Sequence, residues 1–433
     1  MNDTGLLLSA CGGSLAAIAL WFGLCRAERV SPRRLFVVIL GVGLISRIAF
    51  ALFTPAFHAP DEQAHFKYVK YLAEHRSLPV QTSRTDSPTN DWEYYQPPLY
   101  YLSLAPFYRL SDELFHDDLV TVRLLRAFSI LLWGVTVWFA FGFLERMRVV
   151  DVFVRVFVIG MISLLPSYVF LSSVINNDNL LLAIGAGVLY LVAQPSSPRR
   201  SVLMGLLLGA GLLTKLTAVV YVILIVAALL VGLVRRTAGR AGLGHVILTG
   251  LIAGLLWTPW ACRNWSVYGS ITAENVANVA MQWETGSQAV TVTLHYLQAS
   301  FWAAAGTYNN IQGVYPLIGM HVFYFACLGL LYGRLSAKER LLFHLRNNSD
   351  LLIASALAIL VNAVLAFRFG ILYGQGQGRF LFPMLIPLSL FMGTGLRMFP
   401  VSDSEKSPRH LAGFLITYAV SFECFSLAAL AGT

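Results

Sequence analysis

"RLFVVILGVGLISRIAFALFTPAFHAPDEQAHFKYVKYLAEH" occupies residues 34–75. Its first half, to Thr54, is an apolar run of the length a helix needs to cross the hydrocarbon core of a bilayer. The second half changes character. Pro60 suits the first turn of a helix, where its missing N–H costs nothing. Asp61 and Glu62 would then sit in that turn, where the positive end of the helix dipole favours carboxylates. Phe66, Val69, Leu72 and Ala73 follow at helical spacing, opposite Lys67, Lys70 and Glu74. The pattern predicts a membrane span followed at once by an amphipathic helix lying at the membrane surface, with an acid pair at its start.

The same apolar pattern recurs along the chain. Spans are predicted at 5–25, 34–54, 119–145, 152–174, 178–194, 201–215, 217–234, 243–262, 316–333, 350–372, 380–398 and 410–431. The 433 residues are 57% hydrophobic and 12% charged, whereas soluble domains carry roughly 25% charged residues. The reading is an all-α integral membrane protein of about twelve transmembrane helices, a single polytopic membrane domain over 1–433. The formal charge of +9 gathers in short loops: Arg26/Arg29/Arg33/Arg34, Arg146/Arg148, Arg199/Arg200, Arg235/Arg236/Arg240, Arg334/Lys338/Arg340/Arg346 and Lys406/Arg409. Alternating the spans puts all of these on one side, which marks it as cytoplasmic. The positive charge is thus a topology signal and not a nucleic-acid surface. Cys11, Cys25, Cys262, Cys327 and Cys424 form no C-x-x-C pair, and neither a zinc site nor a disulfide framework is indicated. The first apolar run lacks a basic segment before it, which argues against a cleaved signal peptide.

The opposite face carries the unusual segments. They are the loop 55–118, the turn "INNDNL" at 175–180, the loop 263–315 and "YGQGQGRF" at 373–380. Long loops rich in Trp, Tyr, His and Asn point to interfacial helices and a site. "EYYQPPLYYLSLAPFYRL" (93–110) reads as a second interfacial stretch, with five tyrosines and a Pro-Pro break. "QTSRTDSPTND" (81–91) reads as polar and turn-rich. Asp178, Lys215, Arg263 and Arg379 all fall at span ends on this face. There they join Asp61 and Glu62, and ionisable groups near membrane depth mark functional sites. Taken singly, acids at a helix start also serve as dipole partners, and basic residues at helix ends also snorkel. Gly205 and Gly209 in "GLLLG" read as close helix packing.

"PDEQAHF", "YYQPPLYYL", "INNDNLLL", "GLLLGAGLLTKLTAVV", "WTPWACRNWSVYG" and "GQGRFLFPMLIPLSL" together resemble the GT-C clan of polyprenyl-phosphate-sugar-dependent membrane glycosyltransferases. The chain is similar to a bacterial branch of that clan, and in plan to the protein mannosyltransferases and the aminoarabinose transferase. The matching pieces run in the family's order from about residue 55 to 398. In better-known members the acid pair follows the first span, whereas here it follows the second. The resemblance implies a polyprenyl-phosphate-linked sugar donor, an acceptor that is a glycan, lipid or protein, and transfer at the periplasmic face of a bacterial inner membrane. It implies Asp61 as the catalytic acid of the first loop, with Glu62 completing the acidic motif and Asp178 as the second acidic position.

The chemistry of the residues agrees with it. A lipid phosphate is already a good leaving group, and it needs positive charge as negative charge develops on its oxygens. Lys215, Arg263 and Arg379 can supply that charge. The acceptor hydroxyl needs a carboxylate base, expected to be Asp61. A single base suits displacement with inversion, in contrast to the two carboxyl groups of a glycosidase. Asp61 and His65 share a helix face at i, i+4. His65 and His58 are therefore either orienting groups or ligands to a divalent cation, for which a clear third ligand is missing. Two other readings fit parts of the pattern. A transporter or lipid-linked glycan flippase would place its charges at the midplane in two related halves. A glycan polymerase or ligase would use similar lipid chemistry.

The topology is testable in a cysteine-free background. Single cysteines at Ser87 and Gln288 are expected to react with a membrane-impermeant thiol reagent from outside the cell, and one at Ser197 is not. Labelling confined to Ser197 reverses the orientation.

Overall fold

The computed structural model describes residues 13–23, 30–82, 91–237, 239–273, 276, 280–306, 310–311, 314–335, 348–399 and 404–431. Most of the 81–91 segment, including Ser87, lies outside them, as do Arg26, Arg29, Lys338, Arg340 and Arg346 of the basic clusters.

The described chain is almost entirely helical. Its helices are α1 (Gly13–Gly23), α2 (Pro32–Phe53), α3 (Glu62–His75), α4 (Leu99–Phe115), α5 (Asp118–Arg146), α6 (Val152–Leu164), α7 (Pro166–Leu171) and α8 (Asp178–Val192). They continue as α9 (Pro198–Leu212), α10 (Val219–Val234), α11 (Arg240–Tyr268), α12 (Gly286–Trp302), α13 (Tyr315–Leu335), α14 (Ser349–Tyr373), α15 (Leu385–Arg397) and α16 (Ser407–Ala431). Short 3₁₀ turns, Leu216–Ala218 and Gly378–Met384, lead into α10 and α15. Each predicted span coincides with helix. Among the described residues, eight helical units are long and apolar enough to cross a membrane: α2, α5, Leu216–Val234, α11, α13, α14, Gly378–Arg397 and α16. At the other four predicted spans the helices are shorter: α1, α6, α8 and α9. The protein is an all-α integral membrane protein.

Capping explains where several helices begin. Ser31, Asp117, Asp151 and Ser197 accept backbone N–H groups at the starts of α2, α5, α6 and α9. Such side chains satisfy donors that have no partner inside the helix. The break between α6 and α7 has a different cause. Pro166 has no N–H, so the carbonyl of Ile162 loses its helical acceptor role. Arg47 of α2 fills the gap. Its Nη2 donates to Ile162 O at 3.2 Å and its Nη1 to Ser163 O at 2.7 Å. Its Nε donates to Ser172 Oγ, and the guanidinium lies 4.1 Å from the Trp133 ring centre. A buried cation is thereby held by carbonyl dipoles and an aromatic face.

The main apolar core is built from α2, α5, α6, α8, α15 and α16. α9 packs closely along α11. A Cβ at Gly205 would stand 2.9 Å from Thr249 O, and one at Gly209 would stand 2.9 Å from Leu256 Cβ. The "GLLLG" stretch is therefore a close helix contact.

The loop after α2 departs from expectation in two ways. The α3 helix starts at Glu62, and Asp61 stands before it with φ +60°. That left-handed conformation is unusual for a residue other than glycine and turns Asp61 and Glu62 in different directions. The apolar face of α3 also packs on protein instead of lipid. Phe66, Tyr68, Val69, Leu72 and Ala73 are buried with Tyr100, Tyr101, Leu104 and Tyr108 of α4. The Tyr68 and Tyr101 rings stack at 3.9 Å.

Glu62 and Arg126 fasten this loop to the bundle. Arg126 lies inside α5, and both side chains are almost completely shielded from solvent. Arg126 Nε and Nη2 donate to the two Glu62 oxygens at 2.8 and 2.6 Å. Its remaining N–H groups reach Ala51 O, Thr54 O and Pro55 O, carbonyls at and just after the end of α2. Glu62 also accepts the backbone N–H groups of Phe57 and Ile175. Removing one partner of such a pair leaves a buried charge and costs about 3–5 kcal/mol. Glu62→Gln and Arg126→Met are each expected to destabilise the detergent-solubilised protein by about that amount. The double variant Glu62→Leu/Arg126→Met is expected to lose less than the sum. Wild-type unfolding temperatures in both single variants would show that the pair does not hold the loop.

Candidate functional site

The four segments assigned to one face converge on a cavity of about 480 Å³. Asp61 and His65 reach it from α3, and Trp92, Glu93 and Tyr95 from the first loop. Asn176 comes from the turn before α8 and Lys215 from the turn before α10. Trp257, Trp260 and Asn264 of α11 form another wall, and Asn362, Leu365, Arg368 and Phe369 of α14 form a further one, with Arg379 beyond it. The loops and turns therefore supply most of the charged groups, and the membrane helices supply aromatic and aliphatic groups together with Asn362 and Arg368.

Local sequence explains how the charged end is placed. The turn at 175–179 is buried yet polar, so its backbone groups need side-chain partners. Asn179 Nδ2 donates to Leu171 O, Asn176 Oδ1 accepts from Asp178 N, and Tyr100 Oη accepts from Asn176 N. Asn176 Nδ2 and Asp178 Oδ2 are left buried without hydrogen-bond partners. Gly378 packs directly on α12: a Cβ there would lie 2.1 Å from Phe301 N, so only glycine allows the approach that sets Arg379 beside Asp61.

Two ion pairs cross the charged end. Arg379 Nη2 donates to Asp61 Oδ2 at 2.6 Å, and Lys215 Nζ donates to Asp178 Oδ1 at 2.6 Å. Nε and Nη1 of Arg379 are buried with no hydrogen-bond partner among the described residues, so the guanidinium retains donors for a ligand. Burial pushes the Asp61 carboxyl up, but the Arg379 guanidinium, aided by Lys215, outweighs it and holds Asp61 below the usual carboxylate range. His65 Nδ1 lies 2.9 Å from Tyr101 Oη and 3.9 Å from Glu93 Oε2. Burial drives His65 down to about 3, so its ring is neutral. Glu93 Oε2 has no hydrogen-bond partner among the described residues. Burial, followed by the charge of Asp61, pushes the Glu93 carboxyl up to about 8.

Asp61, His65 and Glu93 offer ligand atoms within 4.8 Å of one another. Glu93 is thus the third group that a divalent cation at Asp61 and His65 would need. The donor set does not favour one, because Arg379 already neutralises Asp61. A metal here would have to displace or tolerate a guanidinium on its own carboxylate.

Among the predicted residues, Asp61, His65, Lys215 and Arg379 line the cavity, and Asp178 stands behind Lys215. Glu62 points away and is fully engaged by Arg126 and two backbone amides. It is not free to exchange a proton with a substrate. Arg263 is not on the cavity wall. It donates to Pro79 O and Asn264 Oδ1 and lies over the rings of Trp260 and Tyr268. His58 is also outside the lining. Glu93, Asn176 and Arg368 were not singled out from sequence. Arg368 has no hydrogen-bond or ion-pair partner among the described residues, and its place in an apolar span was the available signal.

Residues 69–388 match the family described as predicted membrane protein, DUF2142. No curated protein matches the sequence. In fold, the chain is similar to ArnT from Cupriavidus metallidurans. The similarity to its apo state has a TM-score of 0.58 at 14% identity, over 91% of this chain and 76% of that one. ArnT bound to undecaprenyl phosphate gives 0.55 at 14% identity, over 92% and 77%. The oligosaccharyltransferase of Archaeoglobus fulgidus, tethered to an acceptor peptide, gives 0.55 at 12% identity over 90% of this chain. The chain spans 55% of that enzyme's length. The fold is thus of the GT-C type.

The protonation states at the charged end predict how stability depends on pH. A carboxyl raised in the folded state binds protons more tightly there than in the unfolded chain, so rising pH withdraws stability between about 4.5 and about 8 for Glu93. His65, lowered on folding, withdraws stability in the opposite direction, as pH falls from 6.5 towards about 3. Glu93→Gln is expected to flatten the decline between pH 5 and 8, measured by thermal unfolding in detergent. An unchanged slope would place the proton elsewhere.

Proposed function

The chain belongs to the DUF2142 family of predicted membrane proteins, and from that premise we propose that it is a membrane glycosyltransferase that takes a sugar from a polyprenyl-phosphate donor. The observation that carries the reading is the cavity itself: an apolar half between α10, α11 and α14 joined to an end holding two ion pairs and unspent donors. A polyprenyl chain suits the first, and a sugar phosphate suits the second. The undecaprenyl phosphate bound by ArnT supports a donor of this class. The acceptor is a glycan, lipid or protein reached from the same end. By the charge of the loops, that end faces the periplasm of a bacterial inner membrane.

In this reading Arg379 holds the donor phosphate with its free Nε and Nη1, assisted by Lys215 and by the Asn176 amide. These donors meet the oxygen on which charge grows as the bond to the sugar breaks. Arg368 adds a further positive group on the wall towards the apolar half. Asp61, kept ionised by Arg379, stands where positive charge develops on the sugar ring. Asp178 positions Lys215, and Glu62 positions the start of α3 through Arg126. Attack from the face opposite the phosphate inverts the anomeric carbon.

The test uses detergent-solubilised protein and a panel of polyprenyl-phosphate sugars, with release of polyprenyl phosphate as the readout and polyprenyl phosphate itself as the binding probe. Arg379→Gln and Lys215→Gln are each expected to weaken binding by roughly ten- to a hundredfold, corresponding to roughly 1.5–3 kcal/mol for a charged hydrogen bond. The unfolding temperature reports whether each variant keeps its fold. Undiminished binding in both variants, or no binding by the wild type, would sink the reading.

A further inference from the structure

We propose that Glu93, and not Asp61, takes the proton from the acceptor hydroxyl. The assignment rests on the glycosyl-transfer reading and concerns the same cavity.

Three features of the geometry single out Glu93. Its Oε2 is buried against the cavity with no hydrogen-bond partner among the described residues, an arrangement that leaves an acceptor position open to a ligand. Asp61 is differently placed, because a guanidinium 2.6 Å away occupies its Oδ2. A carboxylate so paired is a weak proton acceptor, since accepting a proton would forfeit the ion pair. Finally, Asp61, His65 and Glu93 present oxygen or nitrogen atoms within 4.8 Å of one another. A hydroxyl oxygen can therefore sit about 2.8 Å from two of them at once, held by one while its proton points at Glu93.

The surroundings of Glu93 tune it for this task. His65 faces it from α3, with Asp61 at the start of that helix. Tyr101 of α4 and Tyr68 of α3 stand close by, and Lys215, Arg379 and Asp178 act on it from across the cavity. Arg368 lines the same space. Burial outweighs the two nearby cations, and the carboxyl is pushed up to about 8. A base with an affinity for protons near the working pH transfers them most effectively. Asp61, held low, is always charged and always weaker as a base.

The step balances simply. The acceptor oxygen forms a bond to the anomeric carbon as the bond from that carbon to the phosphate oxygen breaks. The bonding pair leaves with the lipid phosphate, and the acceptor proton moves to Glu93 Oε2. Loss of that proton to water in the cavity restores the carboxylate.

The experiment uses permeabilised membranes carrying the full-length chain, which retain their own acceptors. Polyprenyl-phosphate sugars with labelled sugar are supplied, and release of polyprenyl phosphate is followed from pH 6 to about 9.5, bracketing the Glu93 carboxyl. For the wild type the rate is expected to rise with pH through about 8, because only ionised Glu93 can accept a proton. Glu93→Gln is expected to be slower by roughly 10²–10⁴-fold and flat in pH, with binding of polyprenyl phosphate within about twofold of wild type. Glu93→Asp keeps a titrating carboxyl and should recover the alkaline rise and part of the rate. Asp61→Asn should be slow yet still rise with pH.

A Glu93→Gln protein that matches the wild-type rate, or keeps its alkaline rise, overturns the assignment while leaving the transfer reading intact. So does a Glu93→Asp protein as slow and flat as Glu93→Gln. Activity lost in EDTA and restored by Mn²⁺ would instead make the cluster a metal site and overturn it too. If the wild type releases no polyprenyl phosphate from any donor, the transfer reading falls and takes this assignment with it.

Discussion

The arrangement of the cavity depends on one buried contact, the pairing of Glu62 with Arg126. All five N–H groups of Arg126 are used, two on Glu62 and three on the carbonyls that end α2. Glu62 in turn accepts Ile175 N from the turn before α8. A single guanidinium thus joins the end of one membrane helix, the start of the loop helix and the Asn-rich turn. Two of those pieces carry a cavity group next to the joint: Asp61 beside Glu62, Asn176 beside Ile175. An isolated pair of buried ions is weak evidence for stability. This pair differs because every donor is satisfied and the alternative is a set of unpaired carbonyls within the membrane.

Arg47 solves a related problem at the break between α6 and α7. In both places a helix ends and an arginine from a neighbouring helix donates to carbonyls at that end. The apparent contradiction of cations inside apolar spans is resolved by what they replace: water that is not available there to hydrogen-bond the backbone.

Much of the fold was legible in the sequence, since hydropathy located the helices and loop charge sorted the segments that later meet at the cavity. Asp61, Lys215 and Arg379 were legible because each stands at a span end, where chain ends from different helices come together. Adjacency misled in the case of Glu62. Residues i and i+1 at a helix start do not face one way, and the left-handed turn at Asp61 separates them further. Arg263 met the same positional criterion as Arg379, but a nearby carbonyl and two aromatic rings capture it, which charge patterning does not register. Glu93 lay in a tyrosine-rich stretch with no periodic signal. Only the folding of the first loop beneath α3 reveals that it faces His65 and Asp61.

One wall of the cavity is fastened unevenly. α11 contributes Trp257, Trp260 and Asn264 to the lining, yet its main contact runs along α9, drawn close by Gly205 and Gly209. A helix takes its tilt from the neighbours it packs against, so the position of this wall is governed from α9. A helix that supplies none of the lining thus decides where one side of the cavity stands.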